Sequence, residues 1–387
     1  MIIQNALVFT LNQGFVLKDV WIKDGRFAEL SDDFARIHSE LFEAEKKSGG
    51  VIDAGGNYLI PGLVDVHFHG CAGYDFSDGT KEALDTICAY ELQHGITSIC
   101  PASMTLAKDT LLGICENAYE YAKTHEEGAR LCGIHLEGPF ISMEKKGAQN
   151  PAFIQKPDVQ TFHELQEAAH GLVRLITIAP EVEGAENFIR ELANEVHISV
   201  GHTTSDYDTA SRAFALGADH VTHTYNAMPG FTHRAPGVIG AAFDAEYAMP
   251  ELICDGIHIN PSVVRATFRL FGEERMILIS DSMMATGMED GNYSLGGLPV
   301  TVKGNLATLS DGTIAGSATN LMDCMRTAVK MGIPFETAVR AATYNPAKSI
   351  GVDDVCGSIE VGKYGDCVLL SKEDLSTQKV ILGGQVV

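Results

Sequence analysis

The chain is poor in positive charge. Only 28 of its 387 residues are Lys or Arg, against 51 Asp or Glu, and the formal net charge is −23. Nucleic acids and anionic membrane surfaces attract basic proteins, so this balance argues against both as general partners. To bind an anionic small molecule, the protein would need a local positive site that overcomes the negative electrostatic potential of the chain as a whole.

The chain also lacks cysteine motifs and long apolar runs. Its nine cysteines are scattered, odd in number and never spaced Cys-x-x-Cys, so we expect reduced core thiols and a cytoplasmic location. The N-terminal segment has no basic stretch followed by a long apolar core. We therefore expect no signal peptide and no membrane span.

Strand-like and helix-like segments alternate from residue 63 onward. The composition, with 45% hydrophobic and 20% charged residues, is that of a globular protein. Eight strand–helix repeats predict an α/β fold of the (β/α)8 TIM-like barrel class. The expected strands span residues 63–67, 97–100, 131–137, 173–178, 197–202, 220–225, 252–257 and 276–281. The expected helices span residues 81–94, 106–125, 159–169, 185–195, 207–216 and 262–271.

The two ends of the chain lack this alternation and carry short strand and turn signals, such as the hairpin turn Asp24-Gly25. We predict that residues 1–59 and 350–387 form one small discontinuous β-sandwich domain beside a catalytic barrel of residues 60–349. Residues 289–316 are expected to insert β-hairpins over the barrel mouth. Further helical signal lies at 34–47, 320–331 and 335–342.

The segment 61–70 joins a Pro-Gly turn to an apolar run that ends in His67-Phe68-His69. Alternate residues of a strand point to the same face, so both imidazoles aim the same way. Two neutral imidazoles on a rigid strand end can hold one divalent metal. The alternative is a pair of solvated or hydrogen-bonded histidines.

Four more predicted strands end in residues of matching chemistry, namely Glu137, His202, His223 and Asp281. The C-terminal strand ends of a barrel meet at one face, and a buried charge is costly unless it is paired or metal-bound. The mixed imidazole and carboxylate set favours zinc or iron over magnesium or calcium. His135, deeper on the third strand, is interpreted as a core histidine.

These residues, in this order, closely resemble the amidohydrolase superfamily and, more narrowly, its N-acetylglucosamine-6-phosphate deacetylases. The resemblance covers essentially the whole chain. It rests on the segments at 61–70, 135–140, 146–148, 201–203, 222–228, 255–258, 280–281 and 315–317. The segments at 135–140 and 223–228 are the specific ones, whereas His-x-His marks only the superfamily.

The resemblance implies a role for each site residue. Glu137, His202 and His223 would hold the main metal, His67 and His69 a second one, and Asp281 would be the catalytic acid and base. The substrate-binding set would be Ala148, Gln149, Asn226, Ala227, Arg234, Asp255, His258, Ile314, Ala315 and Gly316, with Asn226, Ala227 and Arg234 at the phosphate. Many relatives have a histidine where this chain has Gln149. The fourth strand lacks the lysine that bridges two metals in other barrel hydrolases, which leaves Glu137 as bridge or single-site ligand.

The implied reaction is hydrolysis of the acetamide of N-acetyl-D-glucosamine 6-phosphate to D-glucosamine 6-phosphate and acetate, in amino-sugar catabolism and recycling. One or two divalent ions per subunit would activate water, and Asp281 would carry its proton to the leaving nitrogen. A deacetylase for the galactosamine isomer and another amidohydrolase are the alternatives. A non-catalytic scaffold is disfavoured by the complete ligand set. The resemblance also implies a homodimer.

Overall fold

The computed structural model describes residues 1–124 and 127–387. Its centre is a ring of short strands that pair in parallel. The eight barrel strands, in chain order, are Leu63–Asp65, Ile96–Ile99, Ile134–Glu137, Val173–Ile178, His197–Val200, His220–Val221, Met249–Ile253 and Ile277–Ile279. Two short strands, Ala102–Ser103 and Arg130–Leu131, join the second barrel strand to the third through parallel pairing. The predicted (β/α)8 class is confirmed.

The ring closes between its last and first strands. Just beyond the eighth strand the amide of Asp281 donates to the carbonyl oxygen of His67 at 3.0 Å, and Ser280 Oγ donates to Asp65 Oδ2 at 2.6 Å. The predicted metal pair His67 and His69 and the predicted catalytic residue Asp281 therefore lie beside this seam.

Most of the helices bury one face, and Ser39–Lys47, which has no buried residue, is an exception. In Ala185–Leu192, for example, Ala185, Phe188, Ile189 and Leu192 are buried, which is the spacing of one helix face. The helices are Phe34–Ile37, Ser39–Lys47, Lys81–Gln93, Lys108–Thr124, Val159–Ala168, Ala185–Leu192, Tyr207–Ala215, Gly237–Asp244, Pro261–Phe271, Leu321–Lys330, Phe335–Ala342 and Tyr344–Ser349. The predicted helix 106–125 ends on a residue that lies outside the described ranges.

Strands from both ends of the chain share one sheet. Its order is Gln385–Val386, Thr377–Leu382, Cys367–Leu370, Tyr58–Pro61, Ile2–Thr10, Gly14–Lys23 and Arg26–Ser31, and Val51–Asp53 also pairs with Ile2–Thr10. A bridge between Arg26 and Tyr364 brings the far edge back toward Cys367–Leu370, so the sheet curls round its own apolar core. The domain boundaries 1–59, 60–349 and 350–387 stay a prediction.

The predicted hairpins over the barrel mouth are present as a four-stranded antiparallel sheet. Its strands are Gly291–Leu295, Leu298–Lys303, Leu306–Thr308 and Ile314–Ser317. Leu295 and Ala315 of this sheet pack on Met104 and Met283 from the barrel ends, and this contact holds the sheet against the mouth. Among the described residues, no helix combines the length and apolar character needed to cross a membrane.

Candidate active site

The carboxyl ends of the barrel strands meet around a cavity of about 490 Å³. Five of the predicted metal and catalytic residues line it, namely His69, Glu137, His202, His223 and Asp281. The remaining one, His67, is fully buried, and its Nε2 lies 3.2 Å from Glu137 Oε1. The structure therefore brings the whole predicted set together.

Glu137, His202 and His223 form a tight cluster. Glu137 Oε1 lies 3.1 Å from Nε2 of His202 and 3.1 Å from Nε2 of His223, and the two nitrogens are 3.0 Å apart. All three residues are buried. One carboxylate and two imidazoles directed at a common point are donors that zinc and iron(II) take, so this cluster fits a divalent cation.

His67, His69 and Asp281 form an adjoining cluster. His69 Nε2 lies 3.3 Å from Glu137 Oε2 and 3.4 Å from Asp281 Oδ1. Nε2 of His67 is buried and has no hydrogen-bond partner within the described chain, and a bound cation would satisfy it. Glu137 touches the imidazoles of both clusters, as a ligand shared by two ions would. The donor set fits one or two divalent ions.

The carboxylates and imidazoles of the two clusters shift one another's pKa, and His67 and His69 keep their protons at neutral pH. Burial alone would lower the pKa of His69, but Asp281 and Glu137 raise it to about 10. Burial would raise the pKa of Glu137, yet the surrounding imidazoles, His67 and His202 foremost, hold it well below its usual value. Imidazole binds metal in its neutral form, so an incoming cation displaces these protons and its affinity falls as the pH falls.

Three of the residues sit where the backbone bends out of its strand. The φ angle is 46° at His202, 26° at His223 and 48° at Asp281. Residues other than Gly adopt this region uncommonly, although Asn, Asp and His do so more often than the rest, and each such residue costs of order 1–3 kcal/mol. Strain of this kind concentrates at active sites, and here it falls on residues that face the cavity.

The profile of the amidohydrolase family matches residues 58–387. The chain belongs to this family. The family prediction is confirmed, and the cavity at the barrel mouth lies where amidohydrolase ligand residues were expected from the sequence.

Several relatives of this amidohydrolase match almost end to end. N-acetylglucosamine-6-phosphate deacetylase of Bacillus subtilis (strain 168) is 36% identical over 379 residues, covering 96% of this chain and 93% of the relative. N-acetylgalactosamine-6-phosphate deacetylase of Escherichia coli O157:H7 is 32% identical, covering 92% and 95%. A solved structure also matches, that of a mutant Mycobacterium smegmatis N-acetyl-D-glucosamine-6-phosphate deacetylase in complex with N-acetyl-D-glucosamine-6-phosphate. Its sequence is 30% identical, the TM-score is 0.89, and the match covers 100% of this chain and 98% of that one.

Most of the predicted substrate-binding residues of the amidohydrolase line the cavity. They are Ala148, Gln149, Asn226, Ala227, His258, Ile314 and Gly316. Gly316 has a φ of 66°, and a Cβ there would meet the carbonyl oxygen of Asp281 at 3.0 Å, so glycine is needed where the hairpin sheet meets the eighth strand. These predicted substrate-binding residues therefore lie around the two clusters of potential metal ligands.

Three predicted substrate-binding residues do not line the cavity. Ala315 belongs to the hairpin sheet and is fully buried where the sheet packs on the barrel ends. Arg234 stands on an exposed loop. Asp255 acts through His258, because its Oδ2 accepts from His258 Nδ1 at 2.7 Å and its Oδ1 accepts two backbone amides. This leaves Nε2 of His258 to face a substrate.

Gln149 is buried, and its amide is engaged on both sides. Its Nε2 donates to Glu137 Oε2 at 2.5 Å, and its Oε1 accepts from the Thr105 amide at 2.7 Å. The Gln149 side chain therefore fixes the orientation of the Glu137 carboxylate.

Sequence reasoning missed two features of the site. Glu251, inside the seventh barrel strand, accepts a hydrogen bond from His67 Nδ1 at 2.7 Å. The signal was available, since a lone carboxylate inside the apolar run 249–253 needs a buried partner. Lys145 and Lys146 also line the cavity, although only 146–148 carried the family resemblance.

Proposed function

We propose that the chain hydrolyses the acetamide of N-acetyl-D-glucosamine 6-phosphate to D-glucosamine 6-phosphate and acetate. The observation that carries the proposal is the arrangement of Glu137 between two imidazole clusters, with Asp281 beside one of them. The relatives named as deacetylases of phosphorylated amino sugars match nearly the whole chain, which supports this substrate class.

Glu137, His202 and His223 would hold the main ion, and His67 and His69 a second. When bound, a divalent cation supplies Lewis acidity and brings the pKa of water to about 7. Zinc and iron(II) suit the donors best. The further assignments to a homodimer and to the cytoplasm belong to the same proposal and rest on the family resemblance and on the reduced cysteines.

Asp281 is the proton carrier in this proposal. Burial would raise its pKa, but the hydrogen bond from His69 and the nearby charges of His67 and His223 hold it below the usual value. These groups keep Asp281 ionised in the metal-free protein, and the positive charge of a bound cation would do so in their place, so Asp281 can accept a proton from the attacking water. The water oxygen forms a bond to the carbonyl carbon of the acetamide. Asp281 then donates the proton to the amide nitrogen, the carbon–nitrogen bond breaks, and acetate and the amine leave.

His258 would orient the substrate, whereas Gln149 orients Glu137. Burial would lower the pKa of His258, but its hydrogen bond to Asp255 raises it, so its ring keeps a proton for donation to a substrate oxygen. Asn226 and Ala227 line the cavity, and the exposed loop that follows them carries Arg234, which we assign to the phosphate. Binding energy at the phosphate would position the acetamide for attack.

Acetate release from N-acetylglucosamine 6-phosphate by the metal-loaded protein tests the proposal. We expect kcat/KM to exceed that for N-acetylgalactosamine 6-phosphate by at least about tenfold, a difference of about 1.4 kcal/mol in transition-state binding. The Escherichia coli relative favours the galactosamine isomer as the second candidate, and a reversed preference would establish it. No acetate from either sugar would refute both.

The variant Asp281→Asn tests the chemistry separately from metal binding. Asn tolerates the positive φ at this position as Asp does, but it cannot accept the proton. We expect turnover to fall by about 10²–10⁴-fold, with little change in thermal stability and with the metal retained. A stable, metal-loaded variant that keeps more than about a tenth of the turnover would exclude Asp281 as the proton carrier.

A further inference from the structure

Glu251 contacts one residue of each cluster of potential metal ligands, His67 in one and His223 in the other. Its side chain is fully buried in the seventh barrel strand. Oε2 accepts a hydrogen bond from His67 Nδ1 at 2.7 Å and another from the backbone amide of His223 at 2.9 Å. Oε1 lies 3.2 Å from His220 Nε2. A single carboxylate thus ties a ligand of the second cluster to the backbone of the first.

The hydrogen bond to Glu251 determines which nitrogen of His67 is left free to bind a metal. A neutral imidazole carries one N–H, and with Nδ1 donating to Glu251 the lone pair lies on Nε2. That Nε2 lies 3.2 Å from Glu137 Oε1 and has no hydrogen-bond partner within the described residues. His67 is therefore held as a ligand whose free lone pair points at Glu137.

The other imidazoles of the two clusters have weaker supports. His69 Nδ1 lies 3.1 Å from the Ala102 carbonyl oxygen, and His202 Nδ1 lies 2.8 Å from that of Lys145. For His223 Nδ1 no partner is found in the described ranges. A carboxylate partner fixes the orientation of a ligand imidazole and makes it a better donor. Of these four imidazoles only His67 receives that support at its Nδ1.

We propose that Glu251 is the positioning residue that makes the His67–His69 pair competent to hold a second divalent ion. The inference rests on the proposed metal-dependent function, which the first ion alone can serve. Glu251 does not line the cavity and touches no substrate; it acts through His67. Its loss should therefore weaken the second ion much more than the first.

Titration of the metal-free protein with Zn²⁺ against a chromophoric chelator tests the proposal. Glu251→Gln keeps the size and the hydrogen-bonding reach of the side chain but removes the charge. We expect its second ion to bind about 10–100-fold more weakly, the loss typical of a lost carboxylate partner, with the first affinity within about threefold of wild type. His69→Ala identifies the step that belongs to the second ion.

Glu91→Gln is the matched control, because Glu91 is a fully buried glutamate that contacts none of the metal-type residues through its carboxylate. We expect both affinities to stay as in wild type. Equal weakening of both ions in Glu251→Gln, or an unchanged second affinity, would overturn the assignment. A wild-type protein that binds only one ion would overturn it too, while leaving the proposed hydrolysis intact. A wild-type protein that binds none would instead refute the metal-dependent function itself.

Discussion

Glu91 is a buried acid that the proposed chemistry does not use, and it should make the stability of the protein depend on pH. It lies on the helix Lys81–Gln93 with no exposed surface. Neither carboxylate oxygen meets a hydrogen-bond partner of normal geometry in the described chain, and the Cys71 thiol lies beside the carboxyl group. Burial, with a smaller contribution from the charge of Asp65, raises the pKa of Glu91 from 4.5 to about 8.

The sign of the effect follows from proton binding. Between pH 4.5 and about 8 the folded protein keeps the proton on Glu91, whereas the unfolded chain has lost it. The unfolded state then binds fewer protons, so the free energy of unfolding falls as the pH rises through this window. Below the window both states are protonated, and above it both are ionised. The full shift corresponds to about 5 kcal/mol at most, at 1.36 kcal/mol per pKa unit.

Glu91→Gln removes this titration and keeps the shape. We expect the variant to lose less stability than wild type between pH 5 and pH 8, by a difference of about 3–4 kcal/mol. Denaturant unfolding at both pH values, at equal metal content, measures that difference, and groups titrating elsewhere cancel. Glu116→Gln, an exposed glutamate on the neighbouring helix, is the control and should follow wild type. Parallel pH profiles for wild type and Glu91→Gln would refute the reasoning.

Three further predictions concern the site. His202→Ala should fold but lose the main ion and the activity, and full metal occupancy by elemental analysis would contradict the ligand assignment. Arg234→Ala should raise KM for the phosphorylated sugar about 10–100-fold, because a hydrogen bond to a charged group contributes about 1.5–3 kcal/mol. The variant should leave KM for unphosphorylated N-acetylglucosamine unchanged. An equal effect on both sugars would exclude Arg234 as the phosphate ligand. Gln149→Ala should weaken both Zn²⁺ affinities about equally, because Glu137 serves both clusters, and a selective loss of one ion would contradict that bridging role.

The metal-type clusters could be predicted because their signal is local in the chain. Each ligand follows an apolar run, and the barrel brings the ends of such runs together whatever the loops do. The helix Gly237–Asp244 was missed for the opposite reason. Gly237 and Gly240 lower its helix propensity, and it forms because Val238, Ile239, Ala241 and Ala242 are buried. Tertiary packing of this kind leaves little trace in a single sequence.

The supports of the ligands were hidden by distance along the chain. His67 and Glu251 are separated by 184 residues, and His202 and Lys145 by 57. The local sequence around either residue of such a pair does not indicate the other. The sequence therefore predicts which residues can bind a metal, whereas only the fold shows which of them are oriented to do so.

The charge of the cavity resolves the conflict between an acidic protein and an anionic substrate. Three carboxylates and two lysines line it, namely Glu137, Glu144, Asp281, Lys145 and Lys146. A metal binds imidazoles in their neutral form, so in the metal-loaded protein these five side chains sum to a single negative charge, which would not attract a phosphorylated sugar. One divalent ion is enough to reverse that sign, and bound ions are often the largest local charges in a site. In the proposed function the metal centre therefore serves recognition of the substrate as well as the hydrolytic chemistry, and the overall acidity of the chain is no obstacle to it.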